Sequence, residues 1–588
     1  MRFPSVPLLL VLLCGSGCST QPAAPAASTS PRPAGGAALD EPPPGEWFTD
    51  QARASGIDFV HVNGMTGRFY QPEIMAPGVA LFDFDQDGDL DLFLVQGRLL
   101  GSGTPLIPPR AGPVEDRLYR NDLEVRPDGT RVLHFTDVTA QSGIHARGYG
   151  MGVAVGDIDN DGWPDLYLTG FGRNQLYRNT GHGTFVDVTA ASGTGDASSW
   201  GVSATFFDFD RDGLLDLFVG NYLNYTLQTH TPCFGPSGAP DYCRPEVYGA
   251  QPNRLYRNTG GGHFTDVTIA SGVAQPFGPA LGAVSADFNG DGWPDLFVTN
   301  DEQENQLWIN RHDGTFVNTA LAAGAALGAS GERKANMGVD AGDFDGDGDE
   351  DLFVTELISQ GSSLWVNDGT GTFEEQSARR GIRGPSLPFT GFGTAWFDFD
   401  NDGWLDLLAV NGDVNQNVKT LSRRDNPFPL GQRKQLFRNR AGQFDDVSAK
   451  AGGVFALVDT GRGAAFGDID NDGDTDVVVA NGAGPTRLLI NNVGSRHHWL
   501  GLRLVDADGR RDLVGARVEV RRADGRSLWR RARADGSYAS ANDPRVLVGL
   551  GASTTRPAVH VIWPDGRSDT WPAVNIDGYT TLREGTAP

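Results

Sequence analysis

Nine residues, repeated seven times, constrain this chain more than any other feature. The first copy is Asp83-Phe84-Asp85-Gln86-Asp87-Gly88-Asp89-Leu90-Asp91, a D-x-D-x-D-G-x-x-D pattern, and the others begin at Asp157, Asp208, Asp287, Asp343, Asp398 and Asp468. Carboxylates at positions 1, 3, 5 and 9 of a tight turn converge on one hard cation, and glycine at position 6 permits the turn. Calcium, with its flexible shell of about six to eight oxygens, fits best. The spacing yields these ligand sets: Asp83, Asp85, Asp87, Asp89, Asp91; Asp157, Asp159, Asp161, Trp163, Asp165; Asp208, Asp210, Asp212, Leu214, Asp216; Asp287, Asn289, Asp291, Trp293, Asp295; Asp343, Asp345, Asp347, Asp349, Asp351; Asp398, Asp400, Asp402, Trp404, Asp406; and Asp468, Asp470, Asp472, Asp474, Asp476. Position 7 lends only a backbone carbonyl, so Trp163 or Leu214 is tolerated there.

An EF-hand begins the same way but needs Glu at position 12 and flanking helices. Position 12 here is Leu94, Leu168, Val219, Val298, Val354, Ala409 and Val479, within strand-like runs such as Leu92-Phe93-Leu94-Val95. The plain alternative is a set of acidic turns that bind nothing. Against it stands the carboxylate at position 9, kept in all seven copies, for which a mere turn has no evident use.

A second repeated segment lies between the loops. It reads Asn174-Gln175-Leu176-Tyr177-Arg178-Asn179, a glycine turn, then Phe185-Val186-Asp187-Val188-Thr189 and Ser192-Gly193. Each unit is therefore four short strands, and seven such units of roughly 50 residues point to an all-β, seven-bladed β-propeller. The seventh unit supplies Arg487-Leu488-Leu489-Ile490-Asn491 but no fourth strand; Phe48-Thr49-Asp50 through Ser55-Gly56 matches the missing piece. A strand from the N-terminal end thus closes the ring and removes exposed sheet edges.

The loops, with their Phe-Asp-Phe-Asp entries, resemble the FG-GAP/VCBS repeats of integrin-α-type propellers. The tail resembles the ASPIC/UnbV domain through His498-Trp499-Leu500, Val514-Gly515-Ala516-Arg517-Val518, Gly536-Ser537-Tyr538-Ala539-Ser540, Asn542-Asp543-Pro544, Trp563-Pro564-Asp565-Gly566 and Tyr579. The combination is similar to bacterial relatives of cartilage acidic protein. The resemblance implies calcium in up to seven loops and a role in binding or adhesion. The expected division is a signal peptide over 1–17, a Pro/Ala-rich tether over 18–45, the propeller over 46–493 and a small β-rich domain over 494–588. Between Arg510 and Arg545 the tail holds ten arginines against five acidic residues: a surface that docks on the acidic propeller or an anionic ligand, or else ordinary solvated strands.

An apolar run from Val6 to Leu13 is too short to span a membrane and reads as a secretory segment. Gly15-Ser16-Gly17-Cys18 resembles a bacterial lipobox, making Cys18 the lipidated residue of a protein held at a membrane or the cell surface; an ordinary cleaved signal is the alternative. In an oxidising compartment Cys233 and Cys243 would form a disulfide. The formal charge of −26 argues against nucleic acid as partner.

Three units carry long insertions between their second and third strands: Gln96 to Glu115, Tyr222 to Pro252 and Gly412 to Arg433. Loops gathered on the face opposite the acidic turns are a place for recognition. Tyr222, Tyr225, Phe234, Tyr242 and Tyr248 beside the disulfide are either a ligand-binding patch or packing over the propeller's end. No G-x-S-x-G, H-E-x-x-H, P-loop or CxxC is present, and His497-His498 beside Trp499 reads as a domain junction. The leading reading is a calcium-binding module for a protein or glycan, with no membrane contact beyond the lipid anchor. The alternative is an extracytoplasmic enzyme, or an accessory to one, with a site in the propeller channel.

Overall fold

The computed structural model describes residues 42, 45–107, 113–146, 148–195, 199–415 and 430–588. The signal segment, Cys18 and most of the tether lie outside the described residues, as does much of the third insertion. Residues 42–588 form one compact unit.

Seven four-stranded antiparallel sheets make up the larger part of that unit. In the first blade the order is Val79–Phe82, Asp91–Leu94, Arg117–Asn121 and Phe135–Asp137, and the next five repeat it. The innermost strands contact one another in sequence around a ring, from Val79–Phe82 through Tyr149–Gly156, Gly201–Phe207, Ala280–Ala286, Val339–Gly342 and Gly391–Phe397 to Gly461–Gly467 and back. This is a seven-bladed β-propeller. Its second strands, such as Asp295–Asn300 and Asp476–Asn481, are buried throughout, so they read as continuous apolar runs after their first Asp rather than alternating. The seventh blade is completed from the N-terminal end, as expected, with Phe48 opposite Asn491 and Asp50 opposite Leu489.

The C-terminal part is built on two further sheets. One orders Val546–Gly551, His498–Val505 and Tyr579–Arg583; the other orders Ser527–Arg531, Arg517–Arg521, Ala558–Ile562 and Ser568–Trp571. Leu500, Val518, Val548, Val559 and Val561, all buried, share their core.

Residues 535–543 leave these sheets and fill the propeller's channel. Ala541 exchanges backbone hydrogen bonds with Val79 and Leu81 of the first blade, and Ala539 O accepts from Val153 N of the second. Ala539 N donates to Ser203 Oγ in the third, and Asp535 Oδ2 accepts from Ser285 N in the fourth at 2.7 Å. Ser537 O accepts from Val339 N in the fifth, Ser537 Oγ accepts from Thr394 N in the sixth, and the same hydroxyl donates to Ala464 O in the seventh. All seven innermost strands are therefore tied to one short segment. The approach is close enough to require glycine at Gly78, where a Cβ would lie 1.8 Å from Ala539 O. The opposite end of the channel is shut by Tyr70, Ile74, Met75, Met151, Trp200 and Phe392, packed around Tyr538.

Candidate metal centres

All seven acidic loops take one local conformation. The position 6 glycine N–H donates to the position 1 carboxylate in every copy, from Gly88 to Asp83 at 3.1 Å through Gly473 to Asp468 at 2.9 Å. The position 7 N–H donates to the position 5 carboxylate, also seven times. Position 6 has positive φ throughout the set, for example +92° at Gly473, which glycine alone adopts without strain.

Position 9 has a use that the sequence argument did not foresee. Its buried carboxylate accepts the backbone N–H of the third-strand Asn in all seven blades, as in Asn179 N to Asp165 Oδ1 at 2.7 Å. In six loops its other oxygen accepts the position 2 N–H, as in Ile158 N to Asp165 Oδ2 at 2.9 Å. Position 9 is thus a structural latch whether or not it also meets an ion, and its recurrence alone does not argue for metal.

Position 3 does argue for it. Oδ1 of Asp85, Asp159, Asp210, Asp345 and Asp400 is buried and has no hydrogen-bond partner. Each lies with carboxylate oxygens of two other loop residues, such as Asp157 and Asp165 or Asp398 and Asp406, all within 4.8 Å of one another. Unpaired buried carboxylate oxygens are costly, and costlier beside others of like charge. Burial, reinforced by the neighbouring carboxylates, pushes Asp83, Asp157 and Asp208 up to about 6 and Asp343 and Asp468 up to about 7. A divalent cation with oxygen preference relieves all of these at once. The donor set therefore fits the ion that the spacing implies; in the fourth loop Asn289 in place of a carboxylate makes the set weaker.

Two residue types that sequence reasoning took only as strand now belong to the site. The third-strand Asn donates its side-chain N–H₂ to the position 2 carbonyl of the preceding loop in all seven blades, from Asn179 to Phe84 O at 2.9 Å through Asn121 back to Ile469 O at 3.0 Å. The Arg before it turns to the carboxylates: Arg178 lies 3.3 Å from Asp159, Arg257 3.1 Å from Asp212 and Arg438 2.6 Å from Asp400. The signal was the repeated Tyr-Arg-Asn itself, since a strand needs no particular polar pair at its end.

Loops also bond to loops. The position 4 side chain reaches the next loop's position 6 carbonyl from Asn160 to Gly213 at 2.9 Å, from Asn401 to Gly473 at 2.9 Å and from Asn471 to Gly88 at 3.2 Å; Gln86 reaches Gly162 likewise. In the fourth and fifth loops position 4 is Gly290 and Gly346, which have no side chain to reach with. There the C-terminal domain supplies the donor: Arg517 Nη2 to Gly348 O at 2.8 Å and Arg530 Nη2 to Gly403 O at 3.2 Å. The arginine-rich stretch is therefore docked on the acidic propeller, the first of the two readings. The histidine pair sits at that junction, with His497 Nδ1 2.6 Å from Asp400 O and His498 Nδ1 2.8 Å from Asp577.

For four of the five insertion aromatics the structure shows the second of the two readings, packing over the propeller's end. Cys233 and Cys243 are disulfide-bonded, and the insertion stands opposite the acidic loops as expected. Tyr222, Tyr225 and Tyr242, however, are buried in the cluster that shuts the channel, and Tyr248 packs edge-on against Tyr225. Tyr222 OH donates to Asp301 at 2.6 Å and Tyr242 OH to Glu73 at 3.0 Å, so buried polar partners hold them inward. Phe234 alone of the five points out, 65% exposed.

Family profiles match the chain in two places. The FG-GAP-like repeat matches residues 83–168, 157–219, 238–298, 287–354 and 343–409, and ASPIC and UnbV matches 507–588. Cartilage acidic protein 1 of Mus musculus is 29% identical over 274 residues, 45% of this chain and 38% of its own length; the Homo sapiens protein is 29% identical over 274 residues, 45% and 37%. The match thus spans less than two thirds of those relatives. Among solved structures, the BP39L lectin from Burkholderia pseudomallei aligns with 71% of this chain and 96% of its own, at 12% identity and a TM-score of 0.40. The repeat profile covers more than half of the chain and takes in the first six acidic loops, so the protein belongs to the FG-GAP-repeat family, with an ASPIC/UnbV domain at its C-terminal end.

Proposed function

We propose that the protein is an exported, calcium-stabilised binding and adhesion module, lipid-anchored through Cys18, whose ligand is a protein or a glycan. The observation that carries the binding reading is the filled channel. Propeller enzymes work from the channel, but here residues 535–543 bond to all seven innermost strands and Tyr538 meets the apolar plug from the other side. That occupied channel favours the binding reading over the enzyme alternative, and the rim and the pinned insertion stay available for surface recognition.

Calcium, when bound, supplies the positive charge that the clustered carboxylates lack. The chain's own residues do the rest: positions 1 and 5 fix the turn, position 9 and the third-strand Asn lock each loop to its neighbour, and Arg178, Arg257 and Arg438 offset part of the charge. The Cys233–Cys243 disulfide supports an oxidising compartment. The test is capture of partners from the cell envelope by the full-length protein, with calcium and with excess chelator. Capture should need calcium and should fall on Phe234→Ser without a change in melting temperature. Equal capture in chelator would overturn the reading.

A further inference from the structure

The seven loops are not equally open. At position 5, Asp87, Asp161, Asp212, Asp291 and Asp347 of the first five are exposed. In the sixth loop, Asp398, Asp400, Asp402 and Asp406 are 5%, 2%, 2% and 1% exposed. In the seventh, Asp468 and Asp474 are 2% and 0% exposed while Asp470 and Asp472 are half-buried, less open than position 5 of the first five; position 9 is buried in all seven loops. What covers both is the C-terminal domain. Gly551 N donates to Asn401 O at 2.8 Å, and Arg530 holds the Gly403 carbonyl that Gly346 cannot reach. Tyr579 OH donates to Asp468 Oδ2 at 2.9 Å, and Arg545 Nη2 to Asp468 O at 3.0 Å. Trp499 lies so close over Gly473 that a Cβ there would be 1.8 Å from its ring.

Each covered loop holds a buried carboxylate oxygen with nothing to meet, at position 3 in the sixth, as in four of the open loops, and on the position 7 side chain in the seventh. Asp400 Oδ1 and Asp474 Oδ1 are fully buried and unpartnered. Arg545 does not serve them, since its guanidinium is bound to Asp543 at 2.9 Å and stacked on Tyr579. We propose that the sixth and seventh loops are an occluded pair of cation sites, locked by the C-terminal domain through Arg530, Arg545, Tyr579 and Trp499, while the first five exchange their ions with solvent. An ion under this lid leaves only when the domain lifts, and lifting also breaks the channel hydrogen bonds of residues 535–543, so release from the two covered loops is slow. These are positioning residues: none need touch the ion. The inference rests on calcium binding by the loops, as proposed above.

The experiment loads the full-length protein with radioactive calcium and mixes it with excess chelator. Release should be biphasic, with about two ions per chain leaving at least about tenfold more slowly than the rest, because their exit waits on a local opening. Tyr579→Phe, a change that keeps the ring, and Arg545→Ala should each speed the slow phase while leaving the fast phase and the total count unchanged. Asp400→Asn should remove one slow ion and no fast one. Release of all ions in one phase, or a slow phase indifferent to these substitutions, would overturn the inference while calcium binding stands. Absence of bound calcium at the start would overturn the underlying reading too.

Discussion

Within one loop, substitutions at positions 3 and 9 should cost different things. Asp165 accepts two backbone N–H groups in a buried setting, so Asp165→Asn turns an amide N–H₂ toward a donor and should cost about 2–3 kcal/mol with or without calcium. Asp159 Oδ1 meets nothing while Oδ2 holds only the half-exposed Arg178, so Asp159→Asn should cost more stability in calcium than in chelator, where relief of like-charge repulsion offsets the lost ion pair. Denaturant titrations of both variants in calcium and in chelator, with a metal count, separate latch from ligand. If both variants behave alike in the two conditions, the division of roles is wrong. Glu73 gives a cleaner pH test because it lies away from the loops. Burial pushes it up to about 8 against an ordinary 4.5, with the Tyr242 hydroxyl only partly offsetting this. The raised value means that the fold holds a proton that the unfolded chain releases. Its stabilisation is full below pH about 4.5 and is lost as pH rises to about 8, at about 1.4 kcal/mol per pH unit. In saturating calcium, the stability difference between wild type and Glu73→Gln should follow that slope and flatten above pH about 8. A difference constant from pH 5 to 8 would show Glu73 to be ionised in the fold. The sequence made the loop residues legible through their spacing, but it did not divide them. Position 9 looked like a ligand because its backbone partners, Asn179 N and Ile158 N, carry no residue-specific signature.

At the scale of elements, the four-strand unit and the closing strand at Phe48 were legible because each repeats a pattern, and a pattern fixes which strand is missing. The fate of the insertion was not. A run of tyrosines reads the same whether it faces water or core, and here the choice is made by Glu73 and Asp301, which lie far from the insertion in sequence and meet Tyr242 and Tyr222. The third-strand Asn was equally hidden, since its partner is a carbonyl in the preceding blade. It has a measurable weight. Asn258→Ala removes bonds to Ile158 O at 2.8 Å and Leu215 O at 3.1 Å and orphans both buried carbonyls, so it should destabilise by about 2–4 kcal/mol in calcium and in chelator alike. Equilibrium unfolding checks this; a loss below about 0.5 kcal/mol would mean that blades are held by packing alone.

At the scale of the whole molecule, the arginine-rich tail could be counted from the sequence but not placed. Its targets are carbonyls such as Gly348 O and Gly403 O, made available because Gly290 and Gly346 have no side chains. Once placed, it joins ring, channel and loops into one unit, and on the proposed reading the fold's stability depends on the loops' charge being met. At free calcium about ten times Kd, each filled site adds about 1.4 kcal/mol, about 10 kcal/mol over seven, comparable with the whole net stability of a domain. The most direct measurement is therefore the melting temperature of the full-length protein, together with its bound calcium by native mass spectrometry, before and after exhaustive chelation. The account predicts several calcium ions per chain and a large fall in melting temperature on their removal, restored by adding calcium back. A protein that carries no divalent ion and melts unchanged in excess chelator would contradict it.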